Sequence, residues 1–121
     1  REGRQLETKQ MIAGILLNRL KANLALQIDA TVQYARDTFR NPKVYWQPLQ
    51  ADDINLVSPY NTYKNKGLPP GPICNPGYDS LYAAFHPTAS DYLFYVTGKD
   101  GQMHYAKTYQ EHLENIENYL K

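Results

Sequence analysis

Residues 92–106 read YLFYVTGKDGQMHYA, and they carry the clearest information in the sequence about the fold class. Residues 92–97 are mostly aromatic and β-branched, a composition that favours a β-strand. Residues 98–101 follow as Gly-Lys-Asp-Gly, and an Asp-Gly pair supplies the positive φ that hairpin turns need. Residues 103–106 then return as the partner strand. The stretch therefore predicts a hairpin of two antiparallel strands.

Helices are predicted on both sides of this hairpin. After it, Thr108 and Glu111 have the spacing of a capping box, so a C-terminal helix begins there. Far upstream, residues 5–22 carry apolar side chains at three- and four-residue steps, which is typical of an amphipathic helix with one face in the core.

Shorter helical segments are predicted between these two helices. Thr31 is a candidate N-cap for a helix over residues 32–39, and residues 24–29 before it are a link that could also form a strand. A single helical turn is predicted at residues 52–53, and a short helix over residues 80–86. The order of elements predicts an α+β fold, with helices first, a small antiparallel sheet later and a helix at the end.

Residues 58–78 hold most of the proline and much of the glycine of the chain. Proline fixes φ and removes a hydrogen-bond donor, so neither a helix nor a central strand can run through this segment. The segment lacks the serine and charge bias of a flexible linker, and it carries Tyr60, Tyr63 and other apolar residues. We therefore interpret it as a shaped functional loop.

Composition excludes several classes of function. The 121 residues hold 13 Lys and Arg against 12 Asp and Glu, which argues against a nucleic-acid-binding surface. No apolar run reaches the roughly 18 residues that span a bilayer. The single cysteine, Cys74, allows no intrachain disulfide and no cysteine zinc site, and the three histidines lack short metal-ligand spacing. We therefore expect no metal and no cofactor.

Tyrosine is over-represented, with 11 Tyr against 3 Phe and 1 Trp. A tyrosine ring has a flat apolar face and a polar edge, which suits surfaces that bind a ligand in water. Residues 60–63, Tyr-Asn-Thr-Tyr, add an amide and hydroxyls to two such rings, a combination typical of carbohydrate sites. The alternative is a turn whose tyrosines pack at the edge of the core.

Two acidic residues are candidates for catalysis. Glu2 precedes apolar helical turns, and apolar surroundings favour the protonated carboxyl group that a general acid requires. The alternative for Glu2 is a solvated charge or a helix N-terminal residue. Asp29 is a candidate second carboxylate, and its alternative is an N-cap or turn residue.

Several blocks appear in a characteristic order. They are NRL at residues 18–20, LQIDATVQY at 26–34, SPYNTY at 58–63, GLPPGPI at 67–73, NPG at 75–77, AAFHP at 83–87 and YLFYV at 92–96. With these blocks the chain resembles the MltG (YceG-like) endolytic murein transglycosylases over essentially its whole length. The resemblance implies a single catalytic domain over residues 1–121, which we expect to be part of a longer protein.

The resemblance also implies an activity and a location. Members of this family are bacterial lytic transglycosylases that cut nascent peptidoglycan strands between N-acetylmuramic acid and N-acetylglucosamine and leave a 1,6-anhydro end. They act at the outer face of the cytoplasmic membrane, usually behind a membrane anchor and a LysM-like domain. We therefore expect peptidoglycan strands and peptidoglycan synthases as partners, no nucleic acid, and a membrane only through a segment upstream of Arg1.

The resemblance carries residue roles as well. The family's catalytic glutamate lies sixteen positions before the Asn-Arg-Leu block, which puts it at Glu2. The segment before Arg1 should hold its side chain in place, so we expect weak activity from this chain alone. The residues assigned to the substrate groove are Gln27, Asp29, Thr31, Tyr34, Tyr60, Asn61, Thr62 and Tyr63.

Three alternatives stay open at this point. The first is a muramidase that uses Asp29 as a true second carboxylate and leaves reducing ends. The second is a non-catalytic peptidoglycan-binding or scaffold domain of the cell-wall synthesis machinery. The third is aminodeoxychorismate lyase, an older label of the family, which needs pyridoxal phosphate on a lysine and an anion cradle that the sequence does not supply.

Overall fold

The computed structural model describes residues 5–38 and 47–121, which form four helices and two strands. The elements are α1 (Leu6–Lys21), α2 (Asp29–Thr38), a 3-10 turn (Ala51–Asn55), α3 (Tyr78–Phe85), β1 (Phe94–Thr97), β2 (Met103–Ala106) and α4 (Tyr109–Tyr119). This order confirms the predicted α+β class, with its irregular proline-rich segment between the 3-10 turn and α3.

The described residues belong to two compact units. Unit 1 includes residues 19–38 and 47–75, and unit 2 includes residues 5–18 and 76–121. The chain thus passes from unit 2 to unit 1 within α1 and returns to unit 2 at Pro76, near the end of the proline-rich segment.

The predicted hairpin is present in unit 2. Strands β1 and β2 pair antiparallel, with Phe94 opposite Ala106 and Thr97 opposite Met103. The amide of Gly98 donates to the carbonyl of Gln102 (2.9 Å), and Gly101 has φ of +77°. Glycine adopts that conformation without the steric cost that a Cβ imposes, as the Asp-Gly signal predicts.

Helix α4 packs on this hairpin and begins where the capping signal predicts. The Thr108 hydroxyl accepts a hydrogen bond from the Glu111 amide (3.2 Å). The Glu111 carboxylate accepts from the Lys107 amide (3.1 Å), one residue before the N-cap. At the other end of α4, the Tyr119 ring stacks on His104 at 3.5 Å. The Tyr119–His104 contact therefore joins the C-terminal end of α4 to strand β2 of the hairpin.

Helix α1 contributes the apolar core of unit 2. Ile12 and Ile15 are buried, together with Ala83 of α3 and Ala106 of β2. Gly14 lies against the backbone carbonyl of Thr88, so closely that a Cβ on Gly14 would overlap it. The core of this unit therefore depends on close approach of backbone as well as on apolar burial.

Unit 1 is organised by buried polar side chains. Leu26 and Val32 supply apolar burial. All the buried polar or charged side chains found in residues 5–38 and 47–121 lie in this unit: Arg19, Thr31, Arg36, Asp37, Asn61 and Thr62. Buried polar groups are stable only when hydrogen-bonded, so the shape of unit 1 is set by specific hydrogen bonds.

The segment before α2 is the predicted link and not the alternative strand, whereas the predicted start of α2 is wrong. Residues 24–28 form no strand, because Asn23 and Gln27 adopt φ of +57° and +54°, which interrupts extended backbone. Helix α2 begins at Asp29 rather than after Thr31. The Thr31 hydroxyl donates to the Ile28 carbonyl (2.7 Å) instead of accepting from the helix. Within the described ranges, no helix is long and apolar enough to cross a bilayer.

Candidate functional site

The predicted Tyr-Asn-Thr-Tyr block forms a tight turn in unit 1, and Asn61 holds it together. The Asn61 side-chain amide donates to the carbonyls of Ile54 (2.9 Å) and Leu56 (2.7 Å). Its side-chain oxygen accepts from the Tyr63 amide (2.9 Å), and the residue is fully buried. All three of these hydrogen bonds join the Asn61 side chain to the protein backbone. Asn61 therefore fixes the backbone from which the Tyr63 side chain extends.

Thr62 connects this turn to the start of α2. Its hydroxyl accepts from the Ile28 amide (2.8 Å) and lies 2.9 Å from the Thr31 hydroxyl. Its carbonyl accepts from the Gln27 amide (3.2 Å). Thr31 and Thr62 are both buried. The pair of hydroxyl groups therefore joins two segments that are distant in sequence and fixes the separation of their exposed side chains.

This arrangement brings Asp29 and Tyr63 into contact at the surface of unit 1. The Tyr63 hydroxyl donates to Asp29 Oδ1 across 2.5 Å. Asp29 is exposed at the first residue of α2, and Tyr63 is half-buried. A carboxylate held by a charge-assisted hydrogen bond has a defined orientation toward solvent. The structure thus brings together two of the predicted site residues as a polar pair.

Tyr34 and Tyr60 form a second, aromatic pair in the same unit. Their ring centroids lie 5.0 Å apart and the planes are tilted by 51°. The proline-rich segment passes beside this pair, because a Cβ on Gly71 would lie 3.3 Å from the Tyr60 hydroxyl oxygen. Both rings are half-buried, so each presents part of its surface to solvent.

Gln27 is the remaining residue assigned to the groove in unit 1. Its side chain is exposed, and its backbone has φ of +54°. Non-glycine residues in this region cost of the order of 1–3 kcal/mol and persist only where neighbouring contacts hold them. The hydrogen bond from the Gln27 amide to Thr62 is such a contact. The strained backbone turns the chain into α2 immediately before Asp29.

A cluster that sequence reasoning missed is centred on Arg36. Its guanidinium donates to Asp37 (2.8 Å), to Asp53 (2.8 Å) and to the carbonyl of Gln47 (2.7 Å). The hydrogen bond with Asp37 is the main cause that raises the pKa of Arg36 above its ordinary value. The signal available in the sequence is a charged Arg-Asp pair directly after the apolar positions of α2. The cluster holds residues 47–53 against that helix.

The predicted site residues therefore divide by exposure. Asp29, Tyr63, Tyr34, Tyr60 and Gln27 present surface to solvent. Thr31, Asn61 and Thr62 are buried, and direct ligand contact by these three stays a prediction. Glu2 lies outside the described residues. Within the part of the chain that is described, no cluster of three His, Cys, Asp or Glu side chains could hold a metal ion.

The fold and these sequence blocks match a known protein family. The YceG-like family model matches residues 1–118. The chain belongs to the YceG-like family, which confirms the resemblance carried by its sequence blocks. A YceG-like protein of Listeria monocytogenes, known from a crystal structure, superposes on 87% of this chain with a TM-score of 0.77 and 42% sequence identity.

Two curated relatives carry a functional name. The endolytic murein transglycosylase of Bacillus subtilis is 40% identical over 98% of this chain. The endolytic murein transglycosylase of Streptococcus pneumoniae strain D39 is 33% identical over 99% of it. The chain spans only 31% and 22% of the length of these two relatives, and 33% of the Listeria chain.

Proposed function

We propose that this chain is the catalytic domain of an endolytic murein transglycosylase that works by the lytic reaction, in which cleavage forms a 1,6-anhydro end. The single observation that carries the proposal is the 40% identity over 98% of the chain to a protein named for that activity. The exposed Asp29–Tyr63 pair and the tyrosine pair of Tyr34 and Tyr60 support it. Carboxylates, hydroxyls and aromatic faces are the groups that bind sugars.

Glu2 acts as the general acid in the first step of this proposal. Its carboxyl proton passes to the glycosidic oxygen between N-acetylmuramic acid and N-acetylglucosamine, and the bond from that oxygen to C1 of the muramyl ring breaks. The muramyl ring then has oxocarbenium-ion character. General acid–base catalysis of this kind contributes on the order of 10²–10⁴-fold to the rate.

Glu2 acts as the base in the second step. Its carboxylate takes the proton of the C6 hydroxyl of the same muramyl ring, and the C6 oxygen bonds to C1 to close the 1,6-anhydro ring. Ordinary glycosidases need a second carboxylate to activate water or form a covalent adduct. Here the nucleophile belongs to the substrate, so one carboxyl group serves both steps and no water is consumed.

The exposed residues of unit 1 bind and orient the sugar in this account. Asp29, oriented by Tyr63, accepts hydrogen bonds from sugar hydroxyl or acetamido N–H groups. Tyr34 and Tyr60 present aromatic surface to C–H groups of a pyranose ring, and Gln27 contributes an exposed amide. The buried residues Thr31, Asn61 and Thr62 hold the backbone that carries these side chains. Holding a reacting group in place lowers the entropic part of the barrier.

The proposal extends to the setting of the reaction. The substrate is nascent peptidoglycan, cut within the strand at the outer face of the cytoplasmic membrane. Residues 1–121 act as one domain of a membrane-anchored protein that works beside peptidoglycan synthases. We expect this chain on its own to have weak activity.

The test is the mass of the products made from purified glycan strands at a high ratio of chain to substrate. An anhydro end is lighter than a reducing end by one water, so the two reactions separate in a mass spectrum. Glu2→Gln should abolish the anhydro product. Glu7→Gln is the matched control, because Glu7 is an exposed glutamate of α1. Release of anhydro ends by Glu2→Gln at the unmodified rate would contradict the role of Glu2.

A two-carboxylate muramidase is the second candidate, favoured by one observation. Asp29 is an exposed carboxylate whose orientation is fixed by Tyr63, as a base or nucleophile requires. Asp29→Asn separates the candidates. A muramidase is supported if Asp29→Asn loses all cleavage and the unmodified chain produces reducing ends. A partial loss with anhydro ends retained supports a positioning role. Glycan binding without any cleavage would indicate a non-catalytic domain.

A further inference from the structure

Helix α3 carries an apolar stripe that faces solvent. Tyr78, Leu81, Tyr82 and Phe85 occupy positions i, i+3, i+4 and i+7, which share one face of a helix. Such a stripe normally packs on the core, yet Tyr78 is 78% exposed and Phe85 is 81% exposed. Of the residues of α3, only Ala83 is buried. Contiguous apolar surface of this kind marks a binding site.

The aromatic members of this stripe follow one another along the helix. The rings of Tyr78 and Tyr82 have centroids 6.3 Å apart with planes at 29°. The rings of Tyr82 and His86 have centroids 4.3 Å apart with planes at 31°. Phe85 is exposed on the same side of the helix as Tyr78 and Tyr82. We call Tyr78, Tyr82, Phe85 and His86 the α3 ladder.

The end of the α3 ladder is fixed to helix α1. The Gln10 side-chain amide donates to the His86 carbonyl (2.9 Å), and the Gln10 carbonyl accepts from the Thr88 amide (3.0 Å). The backbone that carries the ladder is thus anchored before any ligand arrives. A preorganised surface loses less entropy on binding.

Charge and ring chemistry select the ligand. Within residues 78–86 only Asp79 is charged, so the ladder lacks the basic side chains that bind phosphate backbones or anionic lipid. Its faces are aromatic, and two hydroxyls and an imidazole stand at their edges. Flat apolar faces with polar edges match a pyranose ring, which has C–H faces and polar rims.

We propose that the α3 ladder is a holding site for an uncharged stretch of β-linked N-acetylhexosamine strand. The inference rests on the proposed function, because an enzyme that cuts within a polymer binds sugars beyond the bond it breaks. The ladder contributes affinity for long strands and takes no part in bond cleavage.

The test is binding of chitohexaose, an uncharged N-acetylglucosamine oligomer, measured on the chain by calorimetry. Tyr82→Ala and Phe85→Ala should each raise Kd by roughly 2–10-fold, as expected for loss of one aromatic contact. Tyr82→Phe and Phe85→Tyr should retain binding. Tyr109→Ala, which removes an exposed ring of α4, is the matched control and should leave Kd unchanged.

Folding is checked by circular dichroism and thermal unfolding. Phe85→Ala keeps the test usable even if Tyr82→Ala loses stability, because the Phe85 side chain is mostly exposed and its loss leaves the core unchanged. An unchanged Kd in the folded double variant of Tyr82→Ala and Phe85→Ala would overturn the proposal. A lower solution mass of these variants in light scattering would also overturn it, because the ladder would then contact a second copy.

The outcome is distinguishable from failure of the proposed function. Chitohexaose binding that depends on the ladder, with no anhydro product from peptidoglycan, keeps the holding site and rejects the transglycosylase. Anhydro product from peptidoglycan, with chitohexaose binding that the ladder variants do not change, keeps the transglycosylase and rejects the holding site. If the proposed function and the holding site are both correct, the ladder variants raise KM for long strands and leave cleavage of short muropeptides unchanged.

Discussion

The Tyr63 hydroxyl and the Asp29 carboxylate form a hydrogen bond of 2.5 Å between residues 34 positions apart in the sequence. Asp29 begins α2, and Tyr63 follows a turn whose amide and hydroxyl groups are buried. The bond therefore depends on the internal hydrogen bonds of Asn61 and Thr62, which fix where each side chain emerges. This dependence links the stability of unit 1 to the geometry of the proposed site.

Tyr63→Phe tests that relationship directly. The change keeps the ring and removes the donor, so Asp29 loses a charge-assisted hydrogen bond worth about 1.5 kcal/mol or more when shielded from water. We expect kcat/KM for glycan cleavage to fall on the order of 10-fold while the thermal midpoint stays within a few degrees.

Tyr109→Phe is the matched control, because it removes the hydroxyl of an exposed tyrosine in α4. Equal activity of Tyr63→Phe and the unmodified chain would show that the Asp29–Tyr63 bond has no part in the reaction.

Asn61→Ala should destabilise unit 1 strongly. The change leaves the part-buried carbonyls of Ile54 and Leu56 and the part-buried amide of Tyr63 without the partner that the Asn61 side chain supplies. Each such group costs about 1–3 kcal/mol, so we expect a loss of roughly 2–4 kcal/mol in the free energy of unfolding. Urea unfolding followed by circular dichroism measures it.

The control for this change is Asn65→Ala, which removes an exposed side-chain amide that donates to the carbonyls of Ser58 and Asn61 and leaves the Asn61 side chain in place. We expect it to cost no more than about 1 kcal/mol. If Asn61→Ala costs no more than Asn65→Ala, Asn61 does not hold the turn, and a direct role at the ligand becomes the better explanation.

Gly14→Ala should destabilise the chain although alanine is the better helix former. The intrinsic gain is about 1 kcal/mol in a helix interior. The added Cβ meets the backbone carbonyl of Thr88, which cannot move aside like a flexible side chain. We expect a net loss of about 1–3 kcal/mol, as for overpacking in a core.

Gly77→Ala provides the contrast, because a Cβ there has no neighbour within 4 Å. Gly77 is the N-cap of α3, where alanine is less favourable than glycine by about a few tenths of a kcal/mol, so the unfolding midpoint should fall only slightly. A stabilised Gly14→Ala variant would mean that α1 and residue 88 lie further apart than the structure has them.

The stability of the hairpin in unit 2 should depend on acid pH through Asp100. The backbone hydrogen bond from Gln102, followed by the contact with His104, lowers the pKa of Asp100 below its ordinary value. A lowered folded-state pKa means that the ionised form stabilises the fold above about pH 4 and that this contribution is lost as pH falls further.

Asp100→Asn removes this titration. Urea midpoints of the unmodified chain and the variant should therefore approach each other as pH falls from about 6 to about 2. A difference between the two midpoints that is constant over this range would exclude Asp100 as a source of the acid sensitivity.

Elements set by local chemistry could be predicted from the sequence. The Asp-Gly pair gave the hairpin, and Thr108 with Glu111 gave the start of α4, because turn and capping signals act over a few residues. Residues 24–28 could not be predicted in the same way. Their conformation depends on contacts with Thr62, more than thirty positions away, and on the positive φ of Gln27.

The candidate site shows the same division. The sequence pattern predicts Asp29, Tyr63 and the pair of Tyr34 and Tyr60 as residues with side chains suited to binding a sugar. It could not separate an amide that faces a ligand from one that faces the protein, and Asn61 faces the protein. The cluster around Arg36 was missed because its partners, Asp37, Asp53 and the carbonyl of Gln47, are brought together only by folding.

In the proposed reaction the C6 hydroxyl of the substrate, and not water, attacks C1. Digestion of purified glycan strands in heavy-oxygen water, followed by mass spectrometry of the new ends, distinguishes the two nucleophiles. We expect 1,6-anhydro ends without heavy oxygen, and we expect these ends to be lost in Glu2→Gln. New reducing ends that carry heavy oxygen from the solvent would contradict it, because they require hydrolysis.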